Sequence, residues 1–339
     1  MSAPATPDPV LRVEGLRTQF FTLDGVVRAV DGVSFTLAKG ETLGIVGESG
    51  CGKSVTALSV MGLIPRDLGR VVDGSIRLGG QELVGLGEPA MKAIRGQRLA
   101  MIFQEPMTSL NPVLTIGTQI AENVVRHRGV SWQAGLERAR EMLELVRIPD
   151  ARRRLGEYPH QLSGGMRQRV MIAIALSCDP EVLIADEPTT ALDVTIQAQI
   201  LELMLDLKEK LGTAIVLITH DLGVVAETCQ RVIVMYAGRK VEEASVADLF
   251  ARPLHPYTRG LMAARPRLDL DAEEAGRRPR LQEIPGIVPA LNRPIPGCAF
   301  APRCSHATER CAAEAPALRQ PAGAHSVACH EAERILEAA

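Results

Sequence analysis

The sequence predicts an α/β fold, and three observations predict it. Continuous apolar runs of strand length recur at residues 42–46, 181–187 and 213–220, the texture of strands buried on both faces. A glycine-rich loop, Gly47-Glu48-Ser49-Gly50-Cys51-Gly52-Lys53-Ser54, separates the first run from a helical stretch at 55–61. From Glu105 to about Cys178 the periodicity turns helical, so the α/β core is interrupted by a helical insertion at 105–177.

The remaining elements follow in order. Residues 10–46 alternate apolar and polar as three short strands ahead of the glycine loop: Val10-Leu11-Arg12-Val13-Glu14, Val26-Val27-Arg28-Ala29-Val30 and Val33-Ser34-Phe35-Thr36-Leu37. Asp24-Gly25 and Lys39-Gly40 supply the turns. Residues 74–81 read as a further strand and turn, and 98–104 as an apolar strand ending on Gln104. In the insertion, 116–127 is amphipathic, and Trp132, Leu136, Ala139, Leu143 and Val146 recur at helical spacing. A helix is predicted over 170–177 and another over 195–211, the latter stopped by Gly212. Residues 231–241 read as a hairpin around Ala237-Gly238.

Beyond Phe250 the texture shifts. Prolines crowd 279–302, charges cluster at 269–280, and four of the seven cysteines fall after residue 297. The expected organisation is a nucleotide-binding domain over 1–250 and a separate C-terminal extension over 251–339.

Composition excludes several function classes. Lys+Arg 38 against Asp+Glu 40 gives net charge −2, and aromatics make up 3%, so neither a basic field nor a base-stacking surface points to nucleic acid. No run of 18 apolar residues exists, and residues 1–9 lack the basic-then-apolar pattern of a signal peptide. The chain is therefore expected in the cytoplasm, where cysteines serve as thiols or metal ligands rather than disulfides.

The glycine loop matches G-x-x-x-x-G-K-[ST] in the strand–loop–helix context that makes the match meaningful. Its backbone N–H groups, at Gly47, Ser49, Gly50, Cys51 and Gly52, turn inward around phosphate at the positive end of a helix dipole. Lys53 reaches the outer phosphates and the Ser54 hydroxyl ligates Mg²⁺. Asp186, at the end of an apolar strand, belongs beside that Mg²⁺. Glu187, one residue further, suits a base or orienting group for the attacking water. Leu162-Ser163-Gly164-Gly165-Met166 precedes a helix and reads as a second anion site without a lysine.

Taken together these residues resemble the ATP-binding cassette ATPases over about residues 10–250. The resemblance implies a RecA-like core with an antiparallel β-subdomain and a helical insertion. It implies ATP and Mg²⁺, with Leu162, Ser163, Gly164, Gly165 and Met166 as the signature loop that caps ATP on a partner cassette. Gln104 matches the loop glutamine that touches Mg²⁺ and water. Ala191-Leu192-Asp193 matches the D-loop, which also acts in trans, and His220 matches the switch histidine at the γ-phosphate. Phe20 matches the adenine-stacking aromatic, with Phe21 as the alternative.

Residues 103–112, Met166 in the signature and Leu254-His255-Pro256-Tyr257-Thr258 narrow the resemblance to ATPase subunits of bacterial dipeptide, oligopeptide and nickel importers. That branch implies two transmembrane permeases, an extracytoplasmic solute-binding protein and a second cassette, a paralogue rather than a copy, at the cytoplasmic face of the inner membrane. A soluble cassette ATPase acting on nucleic acid or ribosomes is the alternative, but this sequence shows none of the paired cassettes, long coiled coils or basic arms usual in that class. His255 and Tyr257 are read as packing residues. The spacing Cys298-x5-Cys304-x6-Cys311-x17-Cys329 contains no C-x2–4-C pair of the zinc-ribbon kind. Three readings stay open here: a [4Fe–4S] cluster, as the resemblance suggests; zinc with His306, His325 or His330; and unligated thiols.

Overall fold

A computed structural model describes residues 8–104, 109–190, 193–264 and 283–337. Among the described residues twelve strands run in chain order: β1 (Leu11–Thr22), β2 (Gly25–Leu37), β3 (Thr42–Val46), β4 (Gly69–Leu78), β5 (Gln81–Glu82), β6 (Leu99–Ile102), β7 (Val182–Asp186), β8 (Ala214–Ile218), β9 (Arg231–Tyr236), β10 (Arg239–Ser245), β11 (Arg319–Ala322) and β12 (His325–Val327). They form two sheets. One is antiparallel, in the order β2-β1-β4-β5; the other has eight strands, in the order β11-β12-β10-β9-β3-β8-β7-β6. The central strands β9, β3, β8, β7 and β6 are mutually parallel.

The apolar runs form central strands because both their faces are covered. Every residue of β3, β7 and β8 is buried. Side chains alternate between two cores at the two-residue period of a strand. Leu183, Ala185, Ile215, Leu217, Val232 and Val234 belong to one core, shared with the insertion helices Ile116–Arg128, Trp132–Leu145 and Gly164–Leu176 and with the helices Val194–Leu211 and Leu222–Thr228. Val182, Ile184, Val216, Ile218, Ile233 and Met235 face the P-loop helix Lys53–Val60 and the antiparallel sheet. The helix entrances are built locally: Thr115 and Ser131 accept from the backbone N–H of Thr118 and Ala134.

Two expectations need correction. The stretches 26–30 and 33–37 are one strand, β2, which pairs along β1 through several register shifts. Those bulges, with Gly32 at φ 80°, absorb the break that the pattern showed between them. Trp132 opens its helix and is 46% exposed rather than part of the core stripe.

The C-terminal extension does not stand apart. Its strand β12 pairs with β10, Glu242 opposite Val327, so the extension lengthens the main sheet. Glu242, fully buried, accepts from the backbone N–H of Leu254 at 2.6 Å and lies 2.7 Å from His325 Nε2. His255 is buried too, and burial pushes its pKa down to about 4, so the ring is neutral. Its Nδ1 accepts from Tyr257 N–H at 3.0 Å.

Candidate functional site

Parallel strands end on the same edge, and in this sheet that edge gathers the chemistry. The glycine loop follows β3, His220 follows β8, Asp186-Glu187 closes β7 and Gln104 follows β6. Because the strand order is β3-β8-β7-β6, the four lie side by side.

The loop needs its glycines. A Cβ on Gly47 would sit 2.3 Å from Met235 O, and one on Gly52 2.3 Å from Ala29 O. Gly50 adopts φ 77° at the exposed crest, beside exposed Ser49, while Cys51 is buried. Burial pushes the Cys51 thiol up, although Lys53 beside it acts in the opposite sense. Lys53 folds back across the loop, its Nζ donating to Gly47 O at 2.8 Å and Glu48 O at 3.1 Å.

Ser54 Oγ donates to Asp186 Oδ1 at 3.1 Å. Burial raises the Asp186 carboxyl above its ordinary value; the Ser54 hydrogen bond opposes this, Glu187 adds to it and Lys53 lowers it. This oxygen pair, one carboxylate and one hydroxyl held in contact, is the hard donor chemistry that Mg²⁺ takes.

Glu187 is the focus of the site. Its φ of 46° places a non-glycine residue in the left-handed region, strain of the kind concentrated at active sites. Its N–H donates to Ile218 O at 2.9 Å. Oε2 accepts from Gln104 Nε2 at 3.0 Å and from Thr190 Oγ1 at 3.0 Å, and Oε1 lies 3.3 Å from His220 Nδ1. The structure thus brings Gln104, Glu187 and His220 together although they are spread across the chain. Thr190 is the member that the motifs do not name; a hydroxyl three residues after the glutamate is the signal that could have found it.

The residues expected to act in trans form a different surface. Ser163 caps the helix Gly164–Leu176, accepting from Met166 N–H, and both Ser163 and Gly164 are exposed, whereas Leu162 is buried. Asp193 caps the helix Val194–Leu211, accepting from Ile196 N–H at 2.9 Å. Gly165 faces Ile196, so the two caps are neighbours. Ala191 and Leu192 lie outside the described residues. Gln168, buried, donates from Nε2 to Pro188 O and ties the helix behind this surface to the loop carrying Glu187.

Phe20 is half-buried in β1 with its ring against Gly69, whereas Phe21 is 42% exposed under the Arg70 guanidinium, 4.6 Å from the ring centroid.

The four late cysteines converge. Cys298, Cys304, Cys311 and Cys329 line one small cavity with His306 and His330. Burial raises the thiols of Cys298 and Cys304 and pushes Cys329 up to about 12, with neighbouring cysteines adding to each. Yet among the described residues no three or more His, Cys, Asp or Glu side chains are arranged to hold a metal ion. The donor chemistry suits iron–sulfur ligation, but no metal site is formed, so the cluster expectation is not supported by this geometry. His325 is committed to Glu242 instead. Cys178 and Cys229 are buried thiols.

Comparison with known proteins decides the family. The model described as "ABC transporter" matches residues 30–190, and "Oligopeptide/dipeptide transporter, C-terminal region" matches 241–311. The chain is 57% identical over 329 residues to the "Probable peptide ABC transporter ATP-binding protein y4tR" of Sinorhizobium fredii, covering 97% of each chain. This chain belongs to the ABC transporter ATPase family. The ABC ATPase is also 53% identical to the oligopeptide transport ATP-binding protein AppD of Bacillus subtilis, over 94% of this chain and 96% of that one. Its fold matches a dimeric post-hydrolysis ATP-binding cassette, MJ0796, bound to ADP and Pi, with TM-score 0.62 and 27% identity over 70% of this chain and 98% of that one.

The raised Asp186 carboxyl sets a pH test with a definite sign. A carboxyl that holds its proton more tightly when folded lowers stability as pH climbs from its ordinary value near 3.8 through the folded value. Asp186→Asn should therefore melt higher than the nucleotide-free wild type at pH 7, with the gap closing toward pH 4. Equal melting temperatures across that range, by scanning fluorimetry, would refute the assignment.

Proposed function

We propose that this ABC ATPase is the ATP-hydrolysing subunit of a bacterial importer of dipeptides or oligopeptides. The observation that carries the reading is Glu187, held by Gln104, His220 and Thr190 beside the Ser54–Asp186 pair at one sheet edge. The extension adds to it: residues 241–311 match the oligopeptide/dipeptide transporter region, and the similar proteins are named for peptide transport.

In this reading the phosphates of ATP lie in the P-loop, on the backbone N–H groups of Gly47 through Gly52 and Lys53 Nζ, with adenine on Phe20. Ser54, Gln104 and Asp186 would hold Mg²⁺, which offsets phosphate charge as it develops. Glu187 accepts a proton from the water as its oxygen bonds to the γ-phosphorus and the bond to the β-phosphate oxygen breaks. His220 contacts the γ-phosphate and, with Gln104, keeps the Glu187 carboxylate aimed.

The exposed caps at Ser163 and Asp193 are helix starts beyond the one glycine loop that a single nucleotide needs, which supports a head-to-tail pairing with a second cassette. Ser163, Gly164, Gly165, Met166 and Asp193 would complete the partner's site, with buried Leu162 anchoring the loop in the core, and the partner, a paralogue, would complete this one. ATP-driven closure would move two permeases through the helical insertion, about 105–177, and the Gln104 loop. A solute-binding protein on the far side of the membrane would deliver the peptide. Among the described residues no helix is long and apolar enough to cross a membrane, in keeping with a peripheral subunit on the cytoplasmic face. Residues 1–250 serve as the nucleotide-binding domain and 251–339 as the extension.

The thiol chemistry of these four cysteines, in a segment without a large core of its own, would suit a structural cluster of the [4Fe–4S] type, with zinc as the alternative, although their side chains form no metal site among the described residues. Anaerobically purified protein should be brown, with about four irons per chain, and should bleach when Cys304 and Cys311 become Ser. Colourless, iron-free protein would remove the cluster.

Glu187→Gln in the assembled transporter should lower phosphate release by about 10²–10⁴-fold, the span for losing a general base, while Mg–ATP affinity stays within about threefold. Labelled dipeptide uptake into vesicles carrying the permeases should fall in parallel. Turnover at the wild-type rate would refute the assigned base, and ATP turnover without any peptide uptake would refute the solute class.

A further inference from the structure

The P-loop is gripped from the C-terminal extension. Arg303 lies 255 residues from Glu48 in sequence, yet its side chain is only 4% exposed and makes a two-pronged ion pair with that carboxylate. Nη1 donates to Glu48 Oε2 at 2.6 Å and Nη2 to Oε1 at 2.9 Å. The other donors are taken as well: Nε bonds Pro285 O, Nη2 also bonds Ile284 O, and Nη1 also bonds Tyr236 Oη. A guanidinium with every direction engaged is a rigid fixture, and the planar fork sets the carboxylate's orientation as well as its charge.

The backbone of the same residue is held too. Glu48 N–H donates to Tyr257 Oη at 2.7 Å. Tyr257, Tyr236 and Phe300 pack as one aromatic group, with ring centroids 4.7 to 5.4 Å apart, so the hydroxyl is fixed by buried rings. Glu48 O in turn receives Lys53 Nζ. The clamp on Glu48 is therefore one bond from the lysine that serves phosphate.

Charge makes the arrangement consequential. Glu48 sits within a loop shaped for polyphosphate, where an uncompensated carboxylate repels the incoming anion. Arg303 cancels that charge and turns the carboxylate toward the extension. Arg303 itself ends the turn Ala301–Arg303, which is anchored by Ala301 N–H to Cys298 O and by Cys304 N–H to Ala301 O. The fork is thus mounted between two of the four converging cysteines.

We propose that Arg303 and Tyr257 are positioning residues for nucleotide binding, holding Glu48 and the P-loop so that the C-terminal extension sets this chain's affinity for ATP. The proposal rests on the P-loop being the ATP site. The test uses the full chain, with equilibrium binding of a fluorescent ATP analogue and, in the assembled transporter, KM and kcat for ATP.

Arg303→Ala should weaken binding and raise KM at least 10-fold, with kcat at saturating ATP within threefold of wild type. Arg303→Lys, which keeps the charge without the fork, should fall between. Adding Glu48→Gln to Arg303→Ala should recover at least threefold of the lost affinity, because the unpaired carboxylate is gone. A general loss of structure would not be repaired by that second change, so the double variant keeps the test decisive even if Arg303→Ala melts lower. Affinity within twofold of wild type in Arg303→Ala, or no recovery in the double variant, would overturn the proposal. Failure of the wild-type chain itself to bind nucleotide would instead overturn the underlying site assignment.

Discussion

Parallel pairing of β3, β8, β7 and β6 is the constraint on which the rest of the molecule depends. The registers Ile45 with Ile218, Asp186 with Ile218 and Ile102 with Ala185 bring four strand ends level. From that edge hang the glycine loop, His220, Asp186-Glu187 and Gln104. Since strand side chains alternate in direction, a one-residue slip of β7 would exchange its two buried faces and carry Asp186 away from Ser54. The two cores prevent it, because each face of β7 is matched to a different apolar environment. Packing energy spent on burial thus fixes catalytic geometry.

The site itself is built against local preference. Glu187 takes a backbone conformation unfavourable to a side chain, and Asp186 is buried enough to resist ionisation. Both costs are met by the surrounding sheet, and the proposed mechanism uses both: a cation would sit beside Asp186 and a proton would pass to Glu187. Neighbouring Gln168 links this strained corner to the helix that presents Ser163, a direct connection between the Glu187 loop and the surface proposed to meet a second cassette.

Much of this was legible in the order of residues. The glycine loop, the apolar run into Asp186-Glu187, the strand ending before His220 and the serine-glycine start of a helix are local patterns, and local patterns report local structure. The β1–β2 ladder was read as shorter pieces because bulges interrupt alternation without ending a strand. What sequence could not convey was the meeting of distant segments. Nothing in Arg303 or Tyr257 as residues announces Glu48 as their partner, and nothing in a proline-rich tail announces that β12 will join β10. The cysteine spacing did point to convergence, since all four line one cavity, but not to a formed metal site. The extension, expected to pack onto the cassette through His255 and Tyr257, also forms a wall of the glycine loop.

The most direct test of the sheet-edge account is the structure of the full-length Glu187→Gln chain, with its partner cassette, bound to Mg–ATP. The account predicts the γ-phosphate between Lys53, Gln104 and His220, Mg²⁺ on Ser54 and Asp186, and a signature serine from the partner closing the far side. Nucleotide bound elsewhere, or bound at the P-loop with Gln104 and His220 turned away from it, would contradict the account.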